Sequence, residues 1–386
     1  MNFLILGSGK MGYALAYDLI RSPNVEKVIL ADANTKNLKS TTKILIDKKI
    51  IPVALDINNE AEAIELMKFV DVVISCLPYN LNLQVSKLAL LANKHYLDLG
   101  GNEEVLKHQF ALNDLAQKKN VTLIPDLGLA PGLVSLIALA TANELTDLYE
   151  IKIRVGGIPL EPVEPLNYCK LFSLNGLINE YVEDCAVIKD GQLFKIPSLT
   201  ECEIIEFPKP FSQMEAFYTA GNVNNLFDIL NGKIKHLNYK TIRYPGHCNH
   251  MNLLKQLKLM SSDPVKVKKH NVIPRDLLLT LLEDALPENQ PDAVLLRVNV
   301  IGVKLDKPCE IIWECIDYAD EVNNISAMMR MTAYPTSAIA QMLARGDISQ
   351  RGVLKQEESI PLDILIQELE ARGINITRSE RIPVLA

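Results

Sequence analysis

The chain has 386 residues, 48% of them hydrophobic and 23% charged, with a formal net charge of −7. That length suits two domains, each able to bury its own core. The negative balance argues against nucleic acid or an anionic membrane surface as the main partner, because either selects a basic face.

Met1 runs at once into an apolar strand with no charged region or small-residue cleavage site, so no targeting segment is expected. The longest apolar stretch, Leu127 to Ala142, is about 16 residues, contains Pro131 and is short for a membrane span. Seven cysteines stand singly along the chain, an odd count that fits a reducing cytoplasm better than a disulfide framework. The most basic short run, Lys266 to His270, reads as a solvated edge.

Short apolar runs at Phe3–Leu6, Lys27–Ala31, Val53–Leu55, Val70–Ser75, Tyr96–Leu99 and Val121–Ile124 predict buried parallel strands. Helical patterns lie between them, among them Asn82–Asn93 and Glu103–Lys119. Alternation of this kind predicts an α/β fold with a Rossmann-type, doubly wound parallel sheet. The first run opens into Gly7-Ser8-Gly9-Lys10-Met11-Gly12. Gly7 permits the tight turn, Gly9 lets backbone approach a pyrophosphate, and Gly12 lets the new helix pack on its strand, with Lys10 and Met11 at the phosphate-facing helix end. Asp32 ends the second strand, 20 residues after Gly12, where a carboxylate accepts from ribose hydroxyls and repels a 2′-phosphate. NAD is therefore favoured over NADP, with Lys36 keeping NADP open. Later strand ends are expected to line the same cleft. Asp56 and Ile57 are placed by the adenine, Cys76, Leu77 and Pro78 by the nicotinamide ribose, and Gly100 and Gly128 in two further ligand loops. For each of these a plain turn role is the alternative.

The pattern changes after Pro131. A helix is predicted from Gly132 to about Asn143, followed by a strand at Ile151–Val155 and then by alternation of period two. Ala186–Lys189 and Gln192–Ile196 flank Asp190-Gly191, a hairpin signal, and Leu295–Leu305 pairs with Glu310–Tyr318 around Asp306-Lys307-Pro308. Helices are predicted again at Pro335–Arg345 and Pro361–Arg372, each with proline in its first turn. The expected organisation is a dinucleotide-binding domain over residues 1–131, completed by 332–386, and a mostly antiparallel α+β catalytic and dimerisation domain over 132–331.

In that second domain Thr241 and Arg243 share one face of a strand that ends at Pro245-Gly246. An arginine so placed suits bidentate pairing with a substrate carboxylate or with a structural acid. His247 is a candidate acid or base, or a histidine at a helix start. His247, Cys248 and His250 are too close in sequence to converge on one ion, so no metal is expected. Tyr168 and Glu215, in runs mixing aromatic and polar residues, are further substrate candidates or ordinary packing.

Several longer stretches extend the picture: Tyr-Leu-Asp-Leu-Gly-Gly-Asn at 96–102, Ile-Pro-Asp-Leu-Gly-Leu-Ala-Pro-Gly-Leu at 124–133 and Val-Gly-Gly-Ile-Pro at 155–159. They continue with Pro-Leu-Asn-Tyr at 165–168, Gly-Leu-Ile-Asn-Glu-Tyr-Val-Glu at 176–183, Glu-Ala-Phe-Tyr-Thr at 215–219 and Tyr-Lys-Thr-Ile-Arg-Tyr-Pro-Gly-His at 239–247. In order and coverage the chain resembles the saccharopine dehydrogenase family, and within it the lysine 6-dehydrogenase branch. The resemblance implies a homo-oligomer, oxidation of an amine carbon by NAD, Arg243 on an amino-acid carboxylate, and the Asp126–Gly132 loop facing the nicotinamide. Saccharopine-reducing members resemble Asp-Pro-Gly-Ile-Asp-His in this loop, where this chain has Ala130-Pro-Gly-Leu-Val-Ser135, a less polar set that suits the smaller substrate lysine. Leu127 stands where the lysine branch often has cysteine, so no thiol role is expected there.

The reaction so implied is NAD-dependent oxidative deamination of the lysine side-chain amine to 2-aminoadipate 6-semialdehyde, with release of ammonia. An ammonium has no lone pair, so a general base is needed; Asp126 and His247 are the candidates, with Asp98 third. The alternatives are a saccharopine or carboxynorspermidine dehydrogenase, and a non-catalytic NAD-binding regulatory protein.

Overall fold

The computed structural model describes residues 1–221, 223–288 and 290–383. Its strands, in chain order, begin with β1 (Asn2–Leu6), β2 (Lys27–Asp32), β3 (Ile50–Ala54), β4 (Val72–Ser75), β5 (His95–Asp98) and β6 (Thr122–Ile124). There follow β7 (Thr146–Pro159), β8 (Asp184–Lys189), β9 (Gln192–Pro197), β10 (Glu203–Glu206), β11 (Gln213–Tyr218) and β12 (His236–Arg243). The series closes with β13 (Val265–Val267), β14 (His270–Val272), β15 (Asp292–Lys304), β16 (Lys307–Tyr318), β17 (Gly352–Val353) and β18 (Thr377–Arg381). The chain divides into two compact units: residues 1–140 with 329–375, and residues 141–328 with 376–386.

The first unit is built on a parallel sheet of order β17-β6-β5-β4-β1-β2-β3. Phe3, Leu4, Ile5, Val72, Val73 and Ile74 are completely buried, because strands covered on both faces have no polar side. From β1 the order runs outward to β2 and β3 on one side and to β4, β5 and β6 on the other. Ligands of such sheets bind beyond the carboxyl ends of the strands at this reversal. The predicted helix Glu103–Lys119 is two helices, Glu103–Phe110 and Asn113–Lys118, with the Asn113 side chain at the break accepting from the Val353 amide of β17. Asp18 accepts from Arg372 and from Ser337, an almost buried ion pair that fastens the first helix, Lys10–Arg21, to the C-terminal segment.

Four boundaries differ from the sequence reading. Residues 132–140 and 329–331 belong with the first unit, and residues 376–383 with the second, where β18 pairs with β16. The helix predicted to start at Pro335 starts at Ala327, with Pro335 in its interior. Its first turn is capped instead by Asp292, whose carboxylate accepts from the amides of Ala327 at 2.6 Å and Met328 at 3.0 Å.

The second unit carries a sheet of order β10-β11-β12-β7-β15-β16-β18, with β8 and β9 attached to β12. Among the described residues only β7 and β12 of this sheet pair in parallel. The hairpin β8–β9 turns at Asp190 and Gly191, both at positive φ, as the Asp-Gly signal predicts. The β15–β16 turn falls at Leu305 and Asp306, also at positive φ, so Lys307 and Pro308 already belong to β16. The Lys266–His270 run forms the exposed hairpin β13–β14.

The two faces of this sheet differ. One packs its Phe217 into a core with Leu177, Ile178, Tyr181, Met251, Leu278 and Leu282, which come from the helices Leu174–Val182, His247–Gln256 and Pro274–Ala285. On β12, Tyr239, Thr241 and Arg243 point to this face, while Lys240 and Ile242 point to the other. That other face is closed at one end by Phe207 and Phe211 against Ile242 and Ile158, and elsewhere forms an open charged groove of about 520 Å³. In the groove Arg154 is bonded to Glu203, which also receives Lys240 at 3.0 Å. Among the described residues no helix is long and apolar enough to cross a membrane.

Candidate active site

In the first unit the dinucleotide end is shaped by backbone. A Cβ on Gly12 would lie 1.9 Å from the Gly7 carbonyl oxygen, so the Lys10–Arg21 helix meets its strand only because Gly12 has no side chain. At Gly9 the opposite holds: nothing lies within 4 Å of where a Cβ would be, and the residue sits exposed at the helix N-terminus beside exposed Lys10 and half-buried Met11. An open backbone at a helix N-terminus fits a diphosphate. Asp32 is half-buried at the end of β2. Its Oδ2 accepts from the Ser8 amide and hydroxyl, both at 2.7 Å, and its Oδ1 from the Asn34 amide at 2.7 Å. The carboxylate thus ties the glycine loop to β2 and still holds its negative charge where the adenosine ribose is expected. These residues fit a nicotinamide dinucleotide.

Other predicted cofactor contacts are put to different use. Ile57 is buried in the core among Leu55, Ala63 and Met67, away from any role beside an adenine, because burial of an isoleucine outweighs its exposure to a ligand. Asp56 is exposed and closes a turn onto the Asn58 amide at 3.0 Å. Leu77 packs against the same core, Pro78 is exposed, and the half-buried Cys76 thiol is pushed up to about 12, first by burial and then by Asp98. Gly128 opens the loop after β6 at φ +138°.

The two acids near this end have separate tasks. Asp98 is fully buried; its Oδ1 accepts from the amides of Gly100 at 2.8 Å and Asp126 at 3.0 Å, and its Oδ2 from Gln109 Nε2 at 2.6 Å. Burial raises its pKa and those bonds oppose the rise. With both oxygens engaged and no exposure, Asp98 joins the loops after β5 and β6, which removes it from the list of bases. Asp126 is different. It stands half-buried at φ +67°, its backbone carbonyl takes Gln356 Nε2 at 2.6 Å, and its carboxylate lies against Gly100. A Cβ on Gly100 would be 1.7 Å from Asp126 Oδ1, so that glycine seats the acid where a ligand contact was expected. Burial, then the charges of Asp98 and Glu357, push Asp126 up to about 7. A carboxyl poised there is matched to proton transfer near neutral pH.

In the second unit a polar chain runs through the helix-covered face. His247 Nδ1 lies 2.8 Å from the Leu166 carbonyl, which can only accept, so Nδ1 carries the proton. His247 Nε2, 3.0 Å from the Tyr181 hydroxyl, is then the acceptor, and the Tyr181 oxygen accepts from Arg243 Nε at 3.2 Å. Arg243 Nη1 donates to the carbonyls of Ile242 at 2.9 Å and Gly157 at 3.4 Å, and the guanidinium stacks over the Tyr168 ring at 5.0 Å. Arg243 and Tyr168 are nearly inaccessible, and His247 wholly so. Burial, then the charge of Arg243, drives His247 down to about 3. It is a neutral link that positions Arg243, not the base the sequence allowed.

Glu215 and Thr241, expected near substrate, serve the scaffold. Glu215 on β11 accepts from the amides of Gly246 at 3.0 Å and Cys248 at 2.5 Å, capping the His247–Gln256 helix. Thr241 donates to the Val155 carbonyl at 3.3 Å on the neighbouring strand. Two residues of this cluster lie outside the sequence-derived set. Tyr181 and Glu180 end the Leu174–Val182 helix; Tyr181 is buried, Glu180 half-buried. Burial pushes Glu180 up to about 7 against the pull of Arg243.

Comparison with known proteins follows the same division. Residues 3–124 match the saccharopine dehydrogenase NADP binding domain, and residues 128–374 match the saccharopine dehydrogenase C-terminal domain. The chain is 22% identical to a carboxynorspermidine synthase of Vibrio cholerae, covering 97% of this chain and 96% of that protein. It is 21% identical to a saccharopine dehydrogenase [NADP(+), L-glutamate-forming] of Pyricularia oryzae, covering 96% and 97%. The solved structure of apo saccharopine dehydrogenase (L-Glu forming) from Saccharomyces cerevisiae superposes with a TM-score of 0.82 at 20% identity, covering 98% of this chain and 99% of that one, which establishes a shared fold. The chain belongs to the saccharopine dehydrogenase family of oxidoreductases and carries that family's nicotinamide-cofactor domain.

Proposed function

We propose that the chain is an L-lysine 6-dehydrogenase. It converts L-lysine, NAD⁺ and water to 2-aminoadipate 6-semialdehyde, NADH, ammonium and a proton. The observation that carries this reading is the charge count around Arg243. Among the described residues that guanidinium is the cation that acts on Tyr168, Tyr181 and Glu180, with His247 neutral and the Lys255 ammonium engaged by the Tyr181 carbonyl and by Ser198. A substrate such as saccharopine brings additional glutamate carboxylates, which need further donors. A small amino acid with one carboxylate does not.

Gly9, Gly12 and Asp32 would hold the dinucleotide, which when bound supplies a two-electron acceptor. Asp32 supports NAD through its negative charge at the ribose, although the family description and the fungal relative both carry NADP in their names. Arg243 binds the substrate carboxylate. Asp126 takes the proton that leaves the amine nitrogen with its lone pair, and His247, through Tyr181, fixes the Arg243 side chain.

The test is reduced-cofactor formation with lysine, ornithine, saccharopine and carboxynorspermidine, each with NAD and NADP. Turnover of lysine with NAD is expected. The names of the relatives favour a second reading, a condensing enzyme of the saccharopine or carboxynorspermidine type. Oxidation of reduced cofactor when glutamate and the semialdehyde are both supplied would replace the first reading by that one. Cofactor binding without turnover across the whole panel would leave a regulatory protein.

A further inference from the structure

Three groups of the second unit meet around Arg243 with hydrogen-bonding capacity left over. Arg243 engages Nε and Nη1, and no hydrogen bond from Nη2 is made among the described residues. The Tyr168 hydroxyl is buried under that guanidinium without a hydrogen-bond partner, a costly state for a hydroxyl. Glu180 is a half-buried acid whose carboxylate receives no hydrogen bond among the described residues, although its charge and that of Arg243 act on each other. The Leu174–Val182 helix explains the placement: Leu174, Leu177, Ile178 and Tyr181 face the core, which leaves Glu180 at the edge of the buried stripe, next to the tyrosine that holds Arg243.

One cation, one neutral hydroxyl and one anion, each incompletely bonded, describe the complement of a zwitterion. We propose that Glu180 is a specificity residue that receives the α-ammonium of an amino-acid substrate, while Arg243 Nη2 and the Tyr168 hydroxyl receive its α-carboxylate. This deepens, and rests on, the reading of the substrate as an amino acid. Proline-like or N-alkylated head groups would fit less well, because Glu180 needs N–H donors. A carboxylate alone would leave Glu180 buried beside a second negative charge, and an amine alone would leave Arg243 unneutralised.

The experiment compares norleucine, which has the lysine head group and carbon chain without the reacting amine, with hexanoate, which lacks the α-amine. Their binding to the full chain saturated with NAD is measured by calorimetry. Norleucine is expected to bind about 10- to 100-fold more tightly, the value of a hydrogen bond to a charged group. Glu180→Gln is expected to bring the two ligands within about twofold while the melting temperature and NAD affinity stay near those of the parent. Norleucine binding should also fall with acidification through about 7, as Glu180 is protonated, and this limb should vanish in Glu180→Gln. Among the described residues the charged and titratable groups facing Glu180 are Arg243 and Tyr239 from β12, Tyr168 from the loop after β7, Cys185 from β8 and Tyr181 on its own helix; of these Arg243 stays charged, and the tyrosines and the Cys185 thiol stay neutral across that range.

Equal binding of norleucine and hexanoate by the parent protein overturns the proposal without any variant, so a failure of Glu180→Gln to fold does not protect it. Discrimination that survives in Glu180→Gln overturns the assignment to Glu180. If norleucine is preferred and Glu180→Gln loses the preference while lysine is never oxidised, the head-group site stands and the lysine reading falls.

Discussion

The dinucleotide end of the first unit and the Arg243 cluster of the second are both assigned to ligands, yet they are made of different material. At the first, what matters is where backbone is bare. Gly9 stands open, and Gly12 is small enough to bring a helix to within a van der Waals contact of the Gly7 carbonyl. At the second, the backbone is ordinary strand and helix, and a chain of side chains from Leu166 through His247 and Tyr181 to Arg243 does the positioning. A backbone site tolerates many substitutions outside its glycines and recognises what all dinucleotides share. A side-chain site depends on each link and distinguishes one small molecule from another.

The most severe test of that division is Asp126, a side chain acting from the backbone-built unit. Asp126→Asn is expected to lower kcat about 10²- to 10⁴-fold, the usual range for a lost general base, with little change in cofactor affinity. The base must be ionised to accept a proton. Activity of the parent is therefore present above about 7 and lost as pH falls through that value, whereas the residual activity of the variant should lack this limb. Measured pH profiles of kcat for both proteins decide it, and a retained limb in Asp126→Asn would move the base elsewhere.

Arg243→Ala should come next in size, lowering kcat/KM for lysine about 100- to 1000-fold, as expected when one partner of a buried charge pair is removed. NAD affinity should hold. Equal loss of both would mean that the two sites are not independent in the way their construction indicates. Tyr181→Phe is a smaller break in the same chain. It keeps the ring against Phe217 and His247 but strands Arg243 Nε and His247 Nε2, at a cost of about 1–3 kcal/mol. A lower melting temperature and a higher KM for lysine are expected together, and a change in neither would show that Arg243 holds its place without the relay.

The difference in material also explains what could be read from sequence. The central strands of the first unit, β1 and β4, announce themselves as apolar runs because both faces are covered, and the glycine spacing states the turn directly. The Asp190-Gly191 hairpin is equally local. Tertiary neighbours decide the rest. Asp98 reads as a candidate base until its burial and its bonds to Gln109, Gly100 and Asp126 are known. Glu215 reads as a ligand residue, yet it caps a helix that starts 32 residues later, at His247. Pro335 reads as a helix start because proline suits a first turn, but Asp292, on a distant strand, supplies a cap two turns earlier. Glu180 carries no local signal at all. It is one more polar residue on an amphipathic helix, and only the approach of β12 sets it beside Arg243.

Asp32 is where a side chain intrudes on the backbone-built end, and there the smallest effect is expected. Its carboxylate ties Ser8 and Asn34 to β2, and in the proposed reading it sets the sign of the charge near the ribose. Asp32→Ser keeps an acceptor for the Ser8 groups and removes the charge. A carboxylate about 4 Å from a phosphate costs on the order of 1–4 kcal/mol in partly solvated surroundings, more than the loop bonds to Ser8 can contribute net. The ratio of kcat/KM for NAD to that for NADP should therefore shift toward NADP by about tenfold, with lysine KM unchanged. Exposed Lys36, in the first turn of the following helix, would then be a cation available to the 2′-phosphate, and Lys36→Ala in the Asp32→Ser background should undo part of the gain. An unchanged ratio in Asp32→Ser would mean that the backbone alone chooses the cofactor, and the contrast between the two sites would be complete.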